Sequence, residues 1–389
     1  MSVELEVLTS WEQVVGRRAD WSALLPRSSA NEPTLSPLWL ETWWRVFGHD
    51  GRAPRVVFLR RDGRLIGIAP LLVRPVRYRR AVPLRRIEFL ASGEEQRDEI
   101  YSEYLNVIAL AGREQEVARA LVEALRTGAL GPWDELSLDM MEVLSPMTQA
   151  LMHELRRTRL LDGVASHQPC PYISLPDTWD EYLASLSSSR RYYLRRTVRT
   201  LEKWAGPELV VTRASTPEEL TVGIDILIDL HGERWRSQGR DGVFTSERFQ
   251  RFHREVMPGL WADGHLDLFW LSKGSRALAA VYNIVWDDKV YFYQSGRTPD
   301  VPNNVRPGIA LHVYAIQHAI RCGRRKYDFL AGATSYKQRM ATAQETLIHL
   351  KASNPRSPAI RMRNLGRRGG VVARALRRRL HDVLPERSE

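Results

Sequence analysis

Cysteine is nearly absent: Cys170 and Cys322 are the two in 389 residues. They lie far apart, with no His or Cys at metal-ligand spacing. That excludes a disulfide framework and a cysteine-based zinc site, so no metal is expected, and it suits a reducing compartment. Long apolar runs are also missing, and nothing approaches the roughly eighteen residues that would read as a bilayer-spanning helix. The opening MSVELEVLTSWEQ has no basic segment followed by an apolar core, which reads against a secretory signal and makes the cytoplasm the expected address. Acidic residues are absent between Arg356 and Leu380, a stretch that holds nine arginines and most of the formal net charge of +11. The rest of the chain is close to neutral.

What is present describes a folded chain. Hydrophobic residues make up 43% and charged residues 26%, an ordinary globular balance, and the length favours two domains. An internal repeat decides their architecture. VELEVLT (3–9) alternates like a strand and leads into a helical segment. ELVVTRA (208–214) does the same before TPEELTVGIDILIDLHGERW, where Thr216 and Glu219 make a capping box. Two hairpins follow, one turning at Asp62-Gly63 and one at Lys273-Gly274-Ser275. RIEFLASG (86–93) then matches KVYFYQSG (289–296). Each precedes an amphipathic helix, REQEVARALVEALRTG or GIALHVYAIQHAIRCG, and a further strand, DELSLDM (134–140) or RKYDFLAG (325–332). The offset stays near two hundred residues. Each half therefore reads β, α, hairpin, strand, helix, strand: an α/β (α+β) arrangement with a mixed sheet and the helix as crossover. That is the element order of the GNAT acyltransferase fold in tandem, two units forming a cleft. A duplicated α/β domain without acyl chemistry has the same order. The expected divisions are 1–160, an N-terminal unit that has lost its own site; 161–355, a C-terminal acyltransferase unit; and 356–389, a basic tail.

An ordered set of fragments resembles the CelD/BcsL-like acetyltransferase family associated with polysaccharide biosynthesis. They are SPLWLETWWRVFG (36–48), IAPLLV (68–73), FLASGEEQRDEIYSEYLNVIA (89–109), LSSSRRYYLRRTVRTLEK (186–203), LHGERWRSQGRDGVF (230–244), RPGIALHVYAIQHAIRCG (306–323) and YDFLAGATSYKQRM (327–340). That family is similar in turn to the FemA/FemX-type transferases, paired GNAT domains that attach amino acids from aminoacyl-tRNA to peptidoglycan precursors. The resemblance implies transfer of an acyl group to an amine within one ternary complex. Acyl-CoA, as acetyl-CoA, is the expected co-substrate, and an amino sugar or cell-surface polymer precursor the expected acceptor. A FemX-like aminoacyl-tRNA-dependent ligase is the alternative, although no room exists between Gly206 and Val210 for an inserted helical arm. A non-enzymatic nucleic-acid-binding or scaffold protein ranks last, because the body resembles no helix-turn-helix, RRM or zinc module.

Candidate site residues follow from both readings. Ordinary GNAT enzymes cradle pyrophosphate on an Arg/Gln-x-x-Gly-x-Gly/Ala loop at a helix start. Here Gly308 and Ala310 fit, Val305 stands where Arg or Gln belongs, and Arg306 falls one place late. Pro307-Gly308 is also plain capping chemistry. Tyr293 and Ser295 end the strand expected to part from its neighbour around the donor, completing the cofactor set. The expected catalytic residues are Lys337, at the mouth of that gap, with His231 and Asp328 as general bases beside Glu233. Each also has a structural reading: a surface lysine, a core histidine, and an ion pair to Arg324 or Arg325. Arg190, Tyr193, Trp235 and Tyr336 are the candidates for contacting the acceptor, against a solvated basic face formed by Arg191, Arg195, Arg199 and Lys203. In the tail, Val372, Leu376, Leu380 and Leu384 recur every four residues. That suits either a solvated segment or a short helix on an anionic membrane, a partner or RNA, tRNA included.

Overall fold

The computed structural model describes residues 3–79, 81–332 and 334–365; the stripe Val372, Leu376, Leu380 and Leu384 lies outside them. Strands form where alternation predicts them. The first half supplies β1 (Glu4–Leu8), β2 (Ala53–Pro54), β3 (Val56–Arg61), β4 (Arg64–Ala69), β5 (Leu71–Tyr78), β6 (Val82–Phe89), β7 (Ile108–Ala109) and β8 (Glu135–Glu142). The second supplies β9 (Leu161–Ser174), β10 (Leu209–Arg213), β11 (Leu266–Lys273), β12 (Arg276–Trp286), β13 (Lys289–Arg297), β14 (Lys326–Asp328) and β15 (Ala343–Ser353). Asp62 and Gly63 both adopt positive φ, 49° and 74°, the twist-matched turn that this dipeptide favours. Helices Glu114–Thr127 and Pro307–Arg321 are the crossovers, since β6 pairs in parallel with β8 and β13 with β14.

Pro70 separates the two copies. In the second half the hairpin strand β12 is unbroken. In the first, β4 ends at Ala69 and β5 begins at Leu71, because proline offers no N–H to continue a ladder. Its carbonyl still accepts from the Leu90 amide at 2.8 Å. The chain thereby changes sheets, leaving a four-stranded sheet β1-β3-β4-β7 beside an eleven-stranded one, β10-β11-β12-β13-β14-β9-β15-β8-β6-β5-β2. The order is mirrored about its centre. Each half keeps its series, and the long antiparallel pair β9 and β15 joins β14 to β8. Apolar packing backs this seam: fully buried Trp39, from helix Pro37–Phe47, meets Phe252 and Tyr293 of the second half edge-on.

The segment expected to begin a free tail at residue 356 starts as packed structure instead. Ser357 donates to Asp134 at 2.6 Å. Buried Arg363 reaches Glu135 at 2.6 Å and Asp162 at 3.2 Å, so one guanidinium bridges β8 and β9. Arg363→Ala should lower the unfolding free energy by about 3 kcal/mol, the low end for a broken buried pair, because Arg86 still holds the other oxygen of Glu135. Denaturant titration measures it. A chain ending at residue 365 should match the full chain, whereas one ending at 355 should not.

Candidate active site

The site begins where two strands part. β13 pairs with β14 through Lys289–Lys326, Val290–Tyr327 and Tyr291–Asp328, and then runs on to Arg297 without it. The cause lies in the β14 exit. An Asp328 carboxylate oxygen accepts the Leu330 amide at 2.8 Å, and Leu330 takes a left-handed φ of 56°, a strained conformation for a branched residue. Gly332, at φ 104°, completes the bend. Carbonyls freed by the bend converge on the Lys337 ammonium, at 2.6 Å from Phe329, 3.4 Å from Leu330 and 3.0 Å from Ala331. On the other strand a bulge leaves Tyr293 as the extra residue opposite Tyr282 and Asn283. Gly296 has no Cβ for a reason: one would lie 2.5 Å from the His231 amide nitrogen, so only glycine lets β13 lie this close to helix Pro217–Arg236.

Beside the free edge of β13 lies a cavity of about 540 Å³. Ser295, Gly296 and Arg297 form one wall and Arg306, Pro307 and Gly308 another. Four arginines line it (234, 297, 306 and 339) and no Asp or Glu does. Burial and the repulsion of Arg234 and Arg306 lower the Arg297 pKa. Arg234 has a buried Nε without a partner. Helix Pro307–Arg321 opens into the cavity with no side-chain cap and no acidic residue in its first turn, so its partial positive charge adds to the arginines. A Cβ on Gly308 would meet Arg297 Cδ at 3.6 Å, an ordinary van der Waals contact, so a side chain is tolerated at the helix start.

Among the expected residues, Ser295, Arg306, Gly308, Tyr193 and Tyr336 share this cavity. The last two thus lie beside the proposed donor positions, not apart from them on an acceptor site. Ala310 is fully buried. Tyr293 turns away and donates its hydroxyl to the Ile100 carbonyl of the first half. Arg190 is engaged elsewhere, donating to the carbonyls of Arg339, at 2.6 Å, and Ala341. His231 is buried, and burial pushes its pKa down to about 4, leaving it neutral. Its Nε2 accepts the Trp235 indole N–H at 3.0 Å, which puts the proton on Nδ1. That Nδ1 is buried without a partner, and the ring packs edge-on against Phe244.

Asp328 is likewise committed: fully buried, it accepts from Tyr104 at 2.6 Å and from Leu330, and pairs with Lys326 at 2.9 Å. The expected partners Arg324 and Arg325 do not reach it; Arg325 pairs with Asp177. Lys337, expected at an open mouth, is 8% exposed, and its pKa is lowered chiefly by burial.

Sequence reasoning missed Arg234, Arg297, Arg339 and, above all, Glu103. This first-half carboxylate is buried against the β14 exit, accepting the Ala331 amide at 2.8 Å and the Cys170 thiol at 3.6 Å. Burial pushes its pKa up to about 7, with Asp328 adding to the rise and Lys337 opposing it. Glu103 lines a void of only about 10 Å³ with Tyr101, Tyr291, Tyr293 and Leu330, room for no more than one water. A buried titratable group at that pKa is a functional candidate. Its only signal was membership of the quoted stretch FLASGEEQRDEIYSEYLNVIA.

Replacing Lys337 tests the bend itself. Lys337→Met should destabilise the fold by about 1–3 kcal/mol, because it strands buried carbonyls. Chemical denaturation with no ligand present checks this; a surface lysine would show almost no change.

Residues 188–338 match the model of an acetyltransferase (GNAT) domain. No curated protein matches the chain. The crystal structure of FemX superposes with a TM-score of 0.59 at 14% identity, covering 90% of this chain and 97% of that one. A conserved protein of unknown function from Bacteroides thetaiotaomicron VPI-5482 gives 0.54 at 10% identity, covering 90% and 100%. The C-terminal domain of a protein assigned as a lysylphosphatidylglycerol synthetase from Agrobacterium fabrum gives 0.50 at 12% identity, covering 91% and 96%. At these identities the likeness is one of fold. Residues 188–338 thus match an acetyltransferase (GNAT) domain, within a fold like that of FemX that spans both halves.

Proposed function

We propose that the protein is an N-acyltransferase that takes its acyl group from a coenzyme A thioester and passes it to an amine, on an amino sugar or cell-surface polymer precursor. One observation carries the donor: four arginines and an uncapped helix start face one cavity without a carboxylate, beside an unpaired strand edge. Arg234, Arg297 and Arg306 would hold a pyrophosphate with the Gly308 end of the helix. The free edge of β13 offers its amides and carbonyls to an amide-bearing arm, as an added strand would. Coenzyme A supplies an activated acyl carbon. The chain must then remove a proton from the amine and receive charge on the acyl oxygen. Glu103, poised near neutrality, takes the proton, and amides that β13 turns into the gap stabilise the oxygen. Lys337 and Asp328 hold the gap open. The acceptor class rests on the resemblance to polysaccharide-associated acetyltransferases.

An aminoacyl-tRNA donor is the second reading, favoured by the extent of the FemX likeness; the same arginines would serve a nucleotide phosphate. The described helices include none long and apolar enough to cross a membrane. Cytoplasmic reaction, with peripheral contact to anionic lipid through the arginines after residue 365, belongs to the same proposal.

Calorimetry with CoA, acetyl-CoA and longer acyl-CoAs tests the donor. Gly308→Asp places a carboxylate in contact with Arg297 without a clash, so the fold should survive while CoA affinity falls about a hundredfold, about 2.7 kcal/mol. Wild-type protein that ignores every CoA species but turns over aminoacyl-tRNA would establish the second reading.

Glu103 is tested by pH. Protonated below about 7, it is inactive there, so wild-type kcat/KM should fall tenfold per unit below that point. Glu103→Gln should abolish this limb and lower the rate by about 10²–10⁴-fold. Its raised pKa means that ionisation opposes folding: the native state should lose stability as pH rises from the ordinary carboxylate range through about 7. The Gln variant should lack that loss.

A further inference from the structure

Outside this site, Asp139, His167 and His349 sit on three neighbouring strands, β8, β9 and β15. Each offers one ligand atom, and these atoms lie within 4.8 Å of one another. No linear motif announces the group, because strand pairing alone assembles it. β15 shifts register near His349 on both sides, against β8 between Ile348 and Leu350 and against β9 between Thr346 and Ile348. Such irregularities re-aim a side chain. The two imidazole rings lie nearly parallel, 13° apart with centroids at 6.3 Å. His167 Nε2 is hydrogen-bonded to Asp139, and His349 Nε2 lies 2.8 Å from the Ser137 hydroxyl.

We propose that Asp139, His167 and His349 bind one divalent transition-metal ion, Zn²⁺ foremost, at the seam where the two halves share their sheet. Two imidazoles and one carboxylate are a borderline donor set, suited to Zn²⁺, Co²⁺ or Ni²⁺ rather than to Mg²⁺ or Ca²⁺, which prefer oxygen alone. Three protein ligands leave a position open for water or an outside ligand. Lys351 and Arg86 are the cations close enough to His349 to act on it. Arg86 is itself engaged by Glu135 and Glu88. Glu99, whose carboxyl feels both Asp139 and His167, adds negative charge close by. The hydrogen bond that now joins His167 Nε2 to Asp139 already holds those two groups together, and an ion would take the place of its proton. The ion would fasten β8 to β9 and β15 and has no part in the acyl-transfer steps above.

The test is a Co²⁺ titration of the full chain, followed by visible absorption. A Cys322→Ser background removes the other conspicuous binder, since Cys322 Sγ lies 3.4 Å from His318 Nε2 and is exposed. One equivalent should produce d–d bands that Zn²⁺ erases, and Zn²⁺ should raise the thermal midpoint. Asp139→Asn, nearly isosteric, and His349→Gln should each weaken binding at least tenfold while keeping the wild-type circular dichroism spectrum. Absence of a stoichiometric Co²⁺ spectrum, or equal binding by folded variants, overturns the site. Either failure leaves the acyltransferase reading untouched.

Discussion

A buried polar knot under the sheet seam is the constraint on which the site depends. Asp328 and Glu345 share the Lys326 ammonium, at 2.9 and 2.6 Å, and both accept from the Tyr104 hydroxyl. Burying a carboxylate with no exposure is unfavourable by several kcal/mol unless it is paired and hydrogen-bonded. Here every neighbour is in place, and Tyr104 comes from the other half of the chain. The bend at Leu330 is therefore braced by a hydroxyl of the first half. Lys337 closes the far side of that bend. The seam between the halves and the gap between β13 and β14 thus share one set of contacts.

The arginine cavity opposes this stability. Arg234, Arg297 and Arg306 repel one another, and burial withdraws water that would screen them. At an effective dielectric constant near 20, two like charges several ångström apart cost a few kcal/mol. A structure without need of an anion would place a carboxylate among them, as it does elsewhere. On β6, Glu88 pairs with both Arg74 and Arg86, and Glu116 takes Arg61 and Arg113. Among the described residues around this cavity no carboxylate answers the arginines, although a helix start also faces it, an arrangement that costs stability and suits an anion.

Much of this was legible in the sequence because it is local. The Asp62-Gly63 turn, the Thr216 cap of helix Pro217–Arg236 (where Glu219 reaches back to Ser215 rather than closing the expected capping box) and the crossover helices express preferences that act within a few residues. Their repetition gave the tandem order. The switch of sheets at Pro70 needed more, since proline announces a break without saying where the strand goes next. Insertion of β9 between β14 and β15 is a long-range pairing with no local signature. Side-chain direction was the least legible. The turn at Gly332 was expected, but whether Lys337 faced solvent or the carbonyls behind it depends on how helix Ser335–Met340 packs. Glu103 was invisible as a functional group because its pKa is set by burial against a strand more than two hundred residues away.

The repeat also explains why the halves do different work. Helix Glu114–Thr127 occupies the position of Pro307–Arg321, yet its first turn carries Glu114 and Glu116. Those carboxylates satisfy the positive end of the helix from within. Arg61 and Arg113 then pair with Glu116. In the second copy, Pro307 and Gly308 stand at the start and the first turn carries no acid, which leaves the same helix end unsatisfied. Two acidic side chains thus distinguish the first helix start from the second. The first half meanwhile places Glu103 and Tyr104 against the bend of the second. In that position a carboxylate of one copy is desolvated against the strand exit of the other, and neither copy alone contains both.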